Sequence, residues 1–322
     1  MIDKPLVSIG VPVYNGERFL ARTLGSLLSQ TYAQLEIIIS DNASTDGTAA
    51  ICREFAARDA RVRYVRNPTN IGARSNFLKT LALASGKYFT WTAADDVRPV
   101  GAIDACVRVL ETSPAAVMAH GPLELELPAQ SSSSRVENRI DMAGSRASDR
   151  VRAFTRDVEH VGLMFGLHRR DVLATVRYGK GVAWDYFVCL QMGQRGPVAW
   201  EPTTILTYRH VYGALDNPMY ARAPITLRDL LLHRGLRRRK CWIVLGIGSY
   251  YLWQQGARHG MAERLRTVRA FASAFVVRFR RELATEGVFL LFSPASWITG
   301  QLVPIASRLR RSRGTAASAQ SP

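Results

Sequence analysis

Residues 6–13 (LVSIGVPV) make an apolar run of strand length, and 17–30 then place Phe19, Leu20, Thr23, Leu24, Leu27 and Leu28 on one helical face. The spacing predicts a strand followed by an amphipathic helix. The alternation then recurs. LEIIIS at 35–40 is a short apolar run, 47–58 reads as a helix entered through Ser44, Thr45 and Asp46, and 62–65 is a third strand. Residues 72–84 form another helix, and 87–92, rich in aromatic and β-branched residues, a fourth strand followed closely by Asp95 and Asp96. Strands and helices alternating in this way predict an α/β fold, a Rossmann-like, mostly parallel sheet flanked by helices with right-handed crossovers. In such sheets ligands bind beyond the carboxyl ends of the strands.

From 122 to 148 the chain turns polar and serine-rich, with four serines at 131–134, which predicts a mobile loop or lid; a plain surface loop fits equally well. Patterning resumes at Val151, and 184–192 and 198–208 read as a helix and a strand completing the same domain. Beyond Arg222 the composition shifts to basic helices, so the expected organisation is a catalytic domain over 1–221 and a basic helical extension over 222–322.

Charge sharpens this division. Of the formal net charge of +17, residues from Arg222 onward hold 18 basic against 4 acidic side chains, a net +14, leaving +3 for the first 221. Arg237, Arg238, Arg239 and Lys240 precede CWIVLGIGSYYLW, an apolar run shorter than the roughly 20 residues a spanning helix needs. A second apolar stretch, 288–306, is broken by Pro294 and Pro304 and flanked by Arg280, Arg281, Arg308, Arg310 and Arg311. Basic clusters beside apolar surface predict peripheral attachment to an anionic membrane face. The alternative is amphipathic helices packed on the domain or on a second copy of the chain. Nothing at the amino terminus reads as an export signal. Cys52, Cys106, Cys189 and Cys241 lack paired spacing, which argues against zinc or disulfides and for a reducing cytosol.

Candidate chemistry concentrates at the predicted strand ends. Asp41 closes the second strand beside 12–15, where its carboxylate is suited to accept an N–H; the alternative is a turn cap, the role expected of Asp46. Asn70, Gly72, Arg74 and Asn76 stand where the third strand gives way to a helix, a setting for anion contacts, although Asn76 also suits a purely structural hydrogen bond. Asp95 and Asp96 repel each other unless a cation or polar ligand intervenes, and a hard divalent ion relieves that repulsion. Asp185, between Trp184 and Tyr186, is a candidate base with its pKa raised by desolvation, or a helix cap.

The strings VSIGVPVYNGERFLARTLGSLLSQTY, LEIIISDNASTDGT and NPTNIGARSNFLKTLALASGKYFTWTAADD, covering residues 5–96 almost continuously, closely resemble the family 2 glycosyltransferases of the GT-A fold. The resemblance implies inverting transfer of a sugar from a UDP-, dTDP- or GDP-linked donor to a glycan or lipid-linked acceptor. It implies donor contacts from Pro12, Val13, Tyr14, Asn15, Asp41, Asn70, Gly72, Arg74 and Asp95, and a Mn2+ or Mg2+ ion on Asp96 and Asp95, with His210 as a further metal or diphosphate contact. It also implies Asp185 as the base, and cell-surface polysaccharide or glycolipid assembly at the inner membrane face as the setting. Gln191, Gln194 and Arg195 match the later family positions only loosely. Two other readings stay open. A sugar nucleotidyltransferase would use similar carboxylates and metal, but no glycine-rich triphosphate loop is present. A nucleic-acid-binding protein is suggested by charge alone, and the arginines here interleave with apolar runs instead of lining a polar face. No nucleic-acid partner is therefore expected, and a homo-oligomer is left open.

Overall fold

The computed structural model describes residues 4–127, 132–137, 139–158, 161–178, 184–209, 245, 248–250, 252–254 and 260–280. β1 (Val7–Val13) is buried throughout and leads through α1 (Leu20–Leu28) to β2 (Leu35–Asp41). α2 (Thr48–Arg58), β3 (Val62–Arg66), α3 (Ala73–Leu83) and β4 (Tyr88–Trp91) follow, each within or one residue beyond its predicted segment. These four strands pair in parallel with β1 inside, Val13 facing Asp41 of β2 and Gly10 facing Trp91 of β4. The sheet is covered on both faces, which is why its strands read as continuous apolar runs. Ile37 and Ile39 pack with Ile9 and Leu24 in one core, and Ile38 packs with Phe89 and Trp91 in the other.

The second half extends the sheet. α4 (Ala102–Thr112) leads to β5 (Met118–His120), and later come α5 (Ala147–Asp157), β8 (Leu167–Arg169), α6 (Arg170–Ala174), α7 (Trp184–Arg195) and β9 (Val198–Trp200). The order is β3-β2-β1-β4-β8-β5-β9, with β8 antiparallel to both neighbours. A second sheet, β10-β6-β7, is built from β6 (Leu123–Leu127), β7 (Ser132–Val136) and β10 (Leu206–Arg209).

Two expectations are corrected. The polar stretch 122–148 holds the β6–β7 pair, because LELEL alternates with period two and buries Leu123 and Leu125, a signal the serine run obscures. The single strand expected over 198–208 is two strands in different sheets, separated around Pro202, which has no N–H to donate to a ladder.

α8 (Met261–Arg278) turns Thr267, Ala270, Phe271 and Phe275 inward, and Phe271, Phe275 and Phe279 share one core with Phe154 of α5 and Tyr186 of α7. Part of the basic region is therefore packed on the α/β layer. No helix among the described residues is long and apolar enough to cross a membrane. The clusters at 237–240 and 288–311 and the candidate His210 lie outside the described residues.

The core encloses two histidines, His120 on β5 and His168 on β8. Burial depresses His120 to about 3, with His168 adding repulsion, and depresses His168 to about 4, although its Nε2–H donates to the Met164 carbonyl at 3.0 Å. Unfolded, both rings bind a proton near pH 6.5, so below that pH the unfolded state holds more protons and stability is lost as pH falls. We expect each ring to cost about 2 kcal/mol between pH 6.5 and pH 5. Urea unfolding of the wild type and His120→Leu across that range should show a flatter curve for the variant; parallel curves would remove His120 from the acid response.

Candidate functional site

The carboxyl ends of β1, β2 and β4 lie side by side, with Pro12, Val13 and Asp41 on β1 and β2, Tyr14 and Asn15 just after β1, and Asp95 and Asp96 in the turn after β4, while Asp185 stands apart on α7. Asp41 is fully buried. Its Oδ1 accepts the Ser44 amide at 2.8 Å, and its Oδ2 accepts the Tyr64 hydroxyl at 2.9 Å and Arg66 Nη1 at 3.0 Å. Arg66 Nη2 also donates to the Ser44 carbonyl at 2.7 Å. Asp41 thus does cap its turn, while Oδ1 keeps acceptor capacity for one further N–H. Tyr64 and Arg66 were not singled out from sequence; the parallel register that sets Arg66 opposite Asp41 is what joins them.

The neighbouring loops are held by side chains. Asn15 has φ 51, a left-handed conformation that asparagine tolerates, and its Oδ1 accepts the Thr45 amide at 2.9 Å. Asp46 takes the Thr48 amide and hydroxyl, the expected capping role. Pro12 and Val13 are buried, and Tyr14 is 49% exposed beside them. Asn70 Oδ1 accepts from Asn42 Nδ2 at 2.7 Å and from the Gly72 amide at 2.8 Å, fixing the loop before α3. Gly72 has φ +82, which an L side chain would strain. Asn76 is buried, accepting from Ser40 and Asn67 and donating to the Ser40 carbonyl at 2.8 Å, the structural role foreseen as its alternative. Arg74 Nη1 donates to the Tyr178 carbonyl at 2.9 Å, so α3 reaches the second half of the domain.

Asp95 and Asp96 follow β4 in a turn closed by the Asp96 amide on the Ala93 carbonyl. Burial raises the Asp95 carboxyl; Asp96, fully enclosed, is raised much further by burial and by Asp95, with Arg98 opposing. Hard oxygen donors crowded in this way fit Mg2+ or Mn2+, whose charge favours the ionised forms. Among the described residues no group of three or more His, Cys, Asp or Glu is placed to hold a metal. β10 brings a further segment in. Thr207 and Val97 exchange both backbone hydrogen bonds, at 3.0 and 2.7 Å, in antiparallel sense, which brings β10 beside the residue that follows Asp96. His210 comes directly after β10 in the chain.

Arg98 escaped the sequence reading because a charged residue after a strand ordinarily faces water. Instead it is buried, donating to Thr92 Oγ1 at 2.8 Å, Thr90 Oγ1 at 2.6 Å and the carbonyls of Trp91, Phe165 and Ile205 at 2.6, 2.8 and 3.1 Å. Burial lowers its pKa only to about 10, so the cation persists at neutral pH.

Asp185 stands in the first turn of α7, its carboxyl raised by burial while Oδ1 accepts the Tyr186 amide at 2.8 Å. The preceding Trp184 packs edge-on against Phe77 of α3, with centroids 5.5 Å apart. Gln191 spans the Arg177 backbone at 3.0 and 2.9 Å, Gln194 bonds the Leu252 carbonyl and Arg195 bonds Thr175, so all three brace the fold.

Residues 8–136 match the family model described as Glycosyl transferase family 2. Over those residues the chain is similar to the family 2 glycosyltransferases. It is 36% identical over 104 residues to chondroitin synthase of Escherichia coli, covering 32% of this chain and 15% of that protein. The chain spans about a third of the length of the first curated relatives it matches. The crystal structure of S. aureus TarS 1–349 superposes with a TM-score of 0.60 at 13% identity, over 89% of this chain and 75% of that one; TarS has also been solved with UDP-GlcNAc. The mannosyltransferase PcManGT of Pyrobaculum calidifontis, solved with GDP-Man and Mn2+, superposes with a TM-score of 0.50 at 17% identity, over 99% and 82% of the two chains. The likeness to both structures establishes the GT-A fold around the glycosyltransferase motif.

The Arg98 lattice generates a direct expectation. Arg98→Met keeps the aliphatic stem but leaves three carbonyls and two hydroxyls without this donor, so stability should fall by roughly 3 kcal/mol. The urea midpoint at constant m-value measures it, and a change within 0.5 kcal/mol, roughly that of an ordinary surface substitution, would contradict the assignment.

Proposed function

We propose that the chain transfers a sugar from a nucleoside-diphosphate donor to an acceptor hydroxyl with inversion at the anomeric carbon. The observation that carries this reading is the placement of Asp41 and the Asp95–Asp96 pair at one sheet edge, on the two strands that flank β1. In this reading Oδ1 of Asp41 accepts the ring N–H of the base, with Pro12, Val13, Tyr14 and Asn15 beside it. The loop at Asn70 and Gly72 faces the diphosphate, and Arg74 borders it. Asp95 and Asp96 hold a divalent cation, Mn2+ or Mg2+, with His210 a further ligand. When bound, that ion neutralises the diphosphate. The Mn2+ and GDP-Man of PcManGT and the UDP-GlcNAc of TarS support both the ion and the donor class.

Asp185 takes the proton of the acceptor hydroxyl as its oxygen bonds to the anomeric carbon. The bond from that carbon to the diphosphate breaks, and the leaving group carries away the electron pair. A carboxyl raised by burial is a better base than an exposed one. Chondroitin synthase among the relatives supports a polysaccharide or glycolipid acceptor. The basic excess of residues 222–322 is what motivates placing the enzyme at the inner face of the cell membrane.

Thermal shift with UDP-, dTDP- and GDP-sugars, with and without Mn2+, tests the donor reading, since a ligand held a hundredfold above its Kd stabilises by about 2.7 kcal/mol. We expect a nucleotide shift that needs Mn2+ in the wild type and is lost in Asp96→Asn. Asp185→Asn should keep the shift while nucleoside-diphosphate release with acceptor drops roughly 10²- to 10⁴-fold. Undiminished turnover in Asp185→Asn would exclude it as the base.

A further inference from the structure

Four of the seven large apolar side chains exposed among the described residues lie in the C-terminal helical layer: Tyr250 at 55%, Met261 at 58%, Leu265 at 39% and Val277 at 71%. The rest of the described surface, most of the protein, supplies three. Along α8 the residues that face outward are Met261, Ala262, Leu265, Arg266, Arg269, Ser273 and Val277, continued by Arg280, which recur every three or four positions on the side opposite Phe271 and Phe275. Residues 261–280 hold five arginines and a single acidic residue, Glu263. Glu263 points toward α5, where its Oε1 accepts the Ser148 amide at 3.1 Å while its other oxygen pairs with Arg266.

The layer is braced as a unit. Ser148 contacts Glu263 at one end, and at the other Arg278 donates to the Thr155, Arg156 and Val158 carbonyls, so α5 and α8 lie side by side in the same direction. Arg152 and Arg156 on α5 are also exposed, Arg156 paired with Asp157 at 2.6 Å and Arg152 one turn beyond the exposed Asp149. Arg264 stacks over Trp253 at 4.4 Å and bonds its carbonyl, joining the helical residues 252–254 to α8. The outward face of α8 therefore carries guanidinium groups interspersed with exposed methyl and thioether groups. That combination matches a surface that is anionic outside and apolar beneath.

We propose that the outward face of α8, with the exposed arginines of α5, docks on an anionic lipid surface, the arginines on headgroup phosphates and Met261, Leu265 and Val277 in the headgroup–acyl boundary. The charge complementarity is wider than the helix, since residues 222–322 hold +14 of the chain's +17. This deepens the membrane-peripheral setting proposed above and is independent of the sugar-transfer reading, because binding is measured with neither donor nor acceptor present.

The test is co-sedimentation of the full chain with vesicles of phosphatidylcholine alone or with 30% phosphatidylglycerol, at low and at 0.5 M salt. We expect sedimentation with the anionic vesicles only, weakened by salt. Arg269→Glu/Arg280→Glu should lower the partition coefficient roughly tenfold or more, and Leu265→Ser/Val277→Ser should lower it at unchanged charge. Arg53→Glu/Arg58→Glu on α2 makes the same change in net charge on another surface and should have a much smaller effect. Equal losses from the two charge reversals, equal binding to neutral vesicles, or no binding to either would each overturn the proposal. So would a dimer in size exclusion that Leu265→Ser/Val277→Ser dissociates, which would assign the face to a second copy. Thermal melts of each variant confirm that the fold is kept, and Arg269→Gln/Arg280→Gln replaces any reversal that melts early.

Discussion

The buried guanidinium of Arg98 is the constraint on which the functional edge depends. One planar group bonds both hydroxyls that flank Trp91, the Trp91 carbonyl itself, the end of the 3-10 turn at Phe165 and the carbonyl just before β10. The end of β4, the approach to β8 and the entry to β10 are therefore fixed relative to one another by one side chain. A buried cation is costly unless its donors find acceptors, and here each guanidinium nitrogen donates to at least one oxygen. The carbonyls satisfy the donors, while Asp96 opposes the charge. Burial raises both carboxyls of the acidic pair, and Arg98 opposes that rise at Asp96.

Around this anchor the site divides into groups that maintain the shape and groups left for a ligand. Asn42, Asn67, Asn70 and Asn76 form a continuous amide network with Ser40 under the first loops, which supports irregular backbone without water. Asp41 belongs to both groups. It anchors Ser44, Tyr64 and Arg66 at the carboxyl end of β2, and it is the residue to which the proposed function gives base recognition.

How much of this was visible beforehand follows the physics of each signal. The first seven elements were legible because β1, most of β2 and β4 are buried on both faces and read as apolar runs, and α1 carries a clear apolar stripe between them. The β6–β7 pair was lost because attention to Ser131–Ser134 hid the Leu–Glu alternation beside it. β9 and β10 were merged because strand propensity does not report which sheet a residue joins. Asp41, Asp95 and Asp96 could be placed at the sheet edge because strand ends locate them. Arg66 and Arg98 could not, since their roles arise from cross-strand register and from burial, and neither is a property of local sequence. Asn76 and Gln191 looked as much like ligand contacts as like braces, and only their saturated hydrogen bonds distinguish the two.

α3 starts just after Gly72, whose positive φ glycine adopts freely, touches Tyr178 through Arg74, and presses Phe77 against Trp184, the residue before Asp185. Its first two turns therefore join the Asn70–Gly72 loop to the start of α7. A displacement of that end of α3 would bear on both at once, which makes it a common lever between the two halves of the domain.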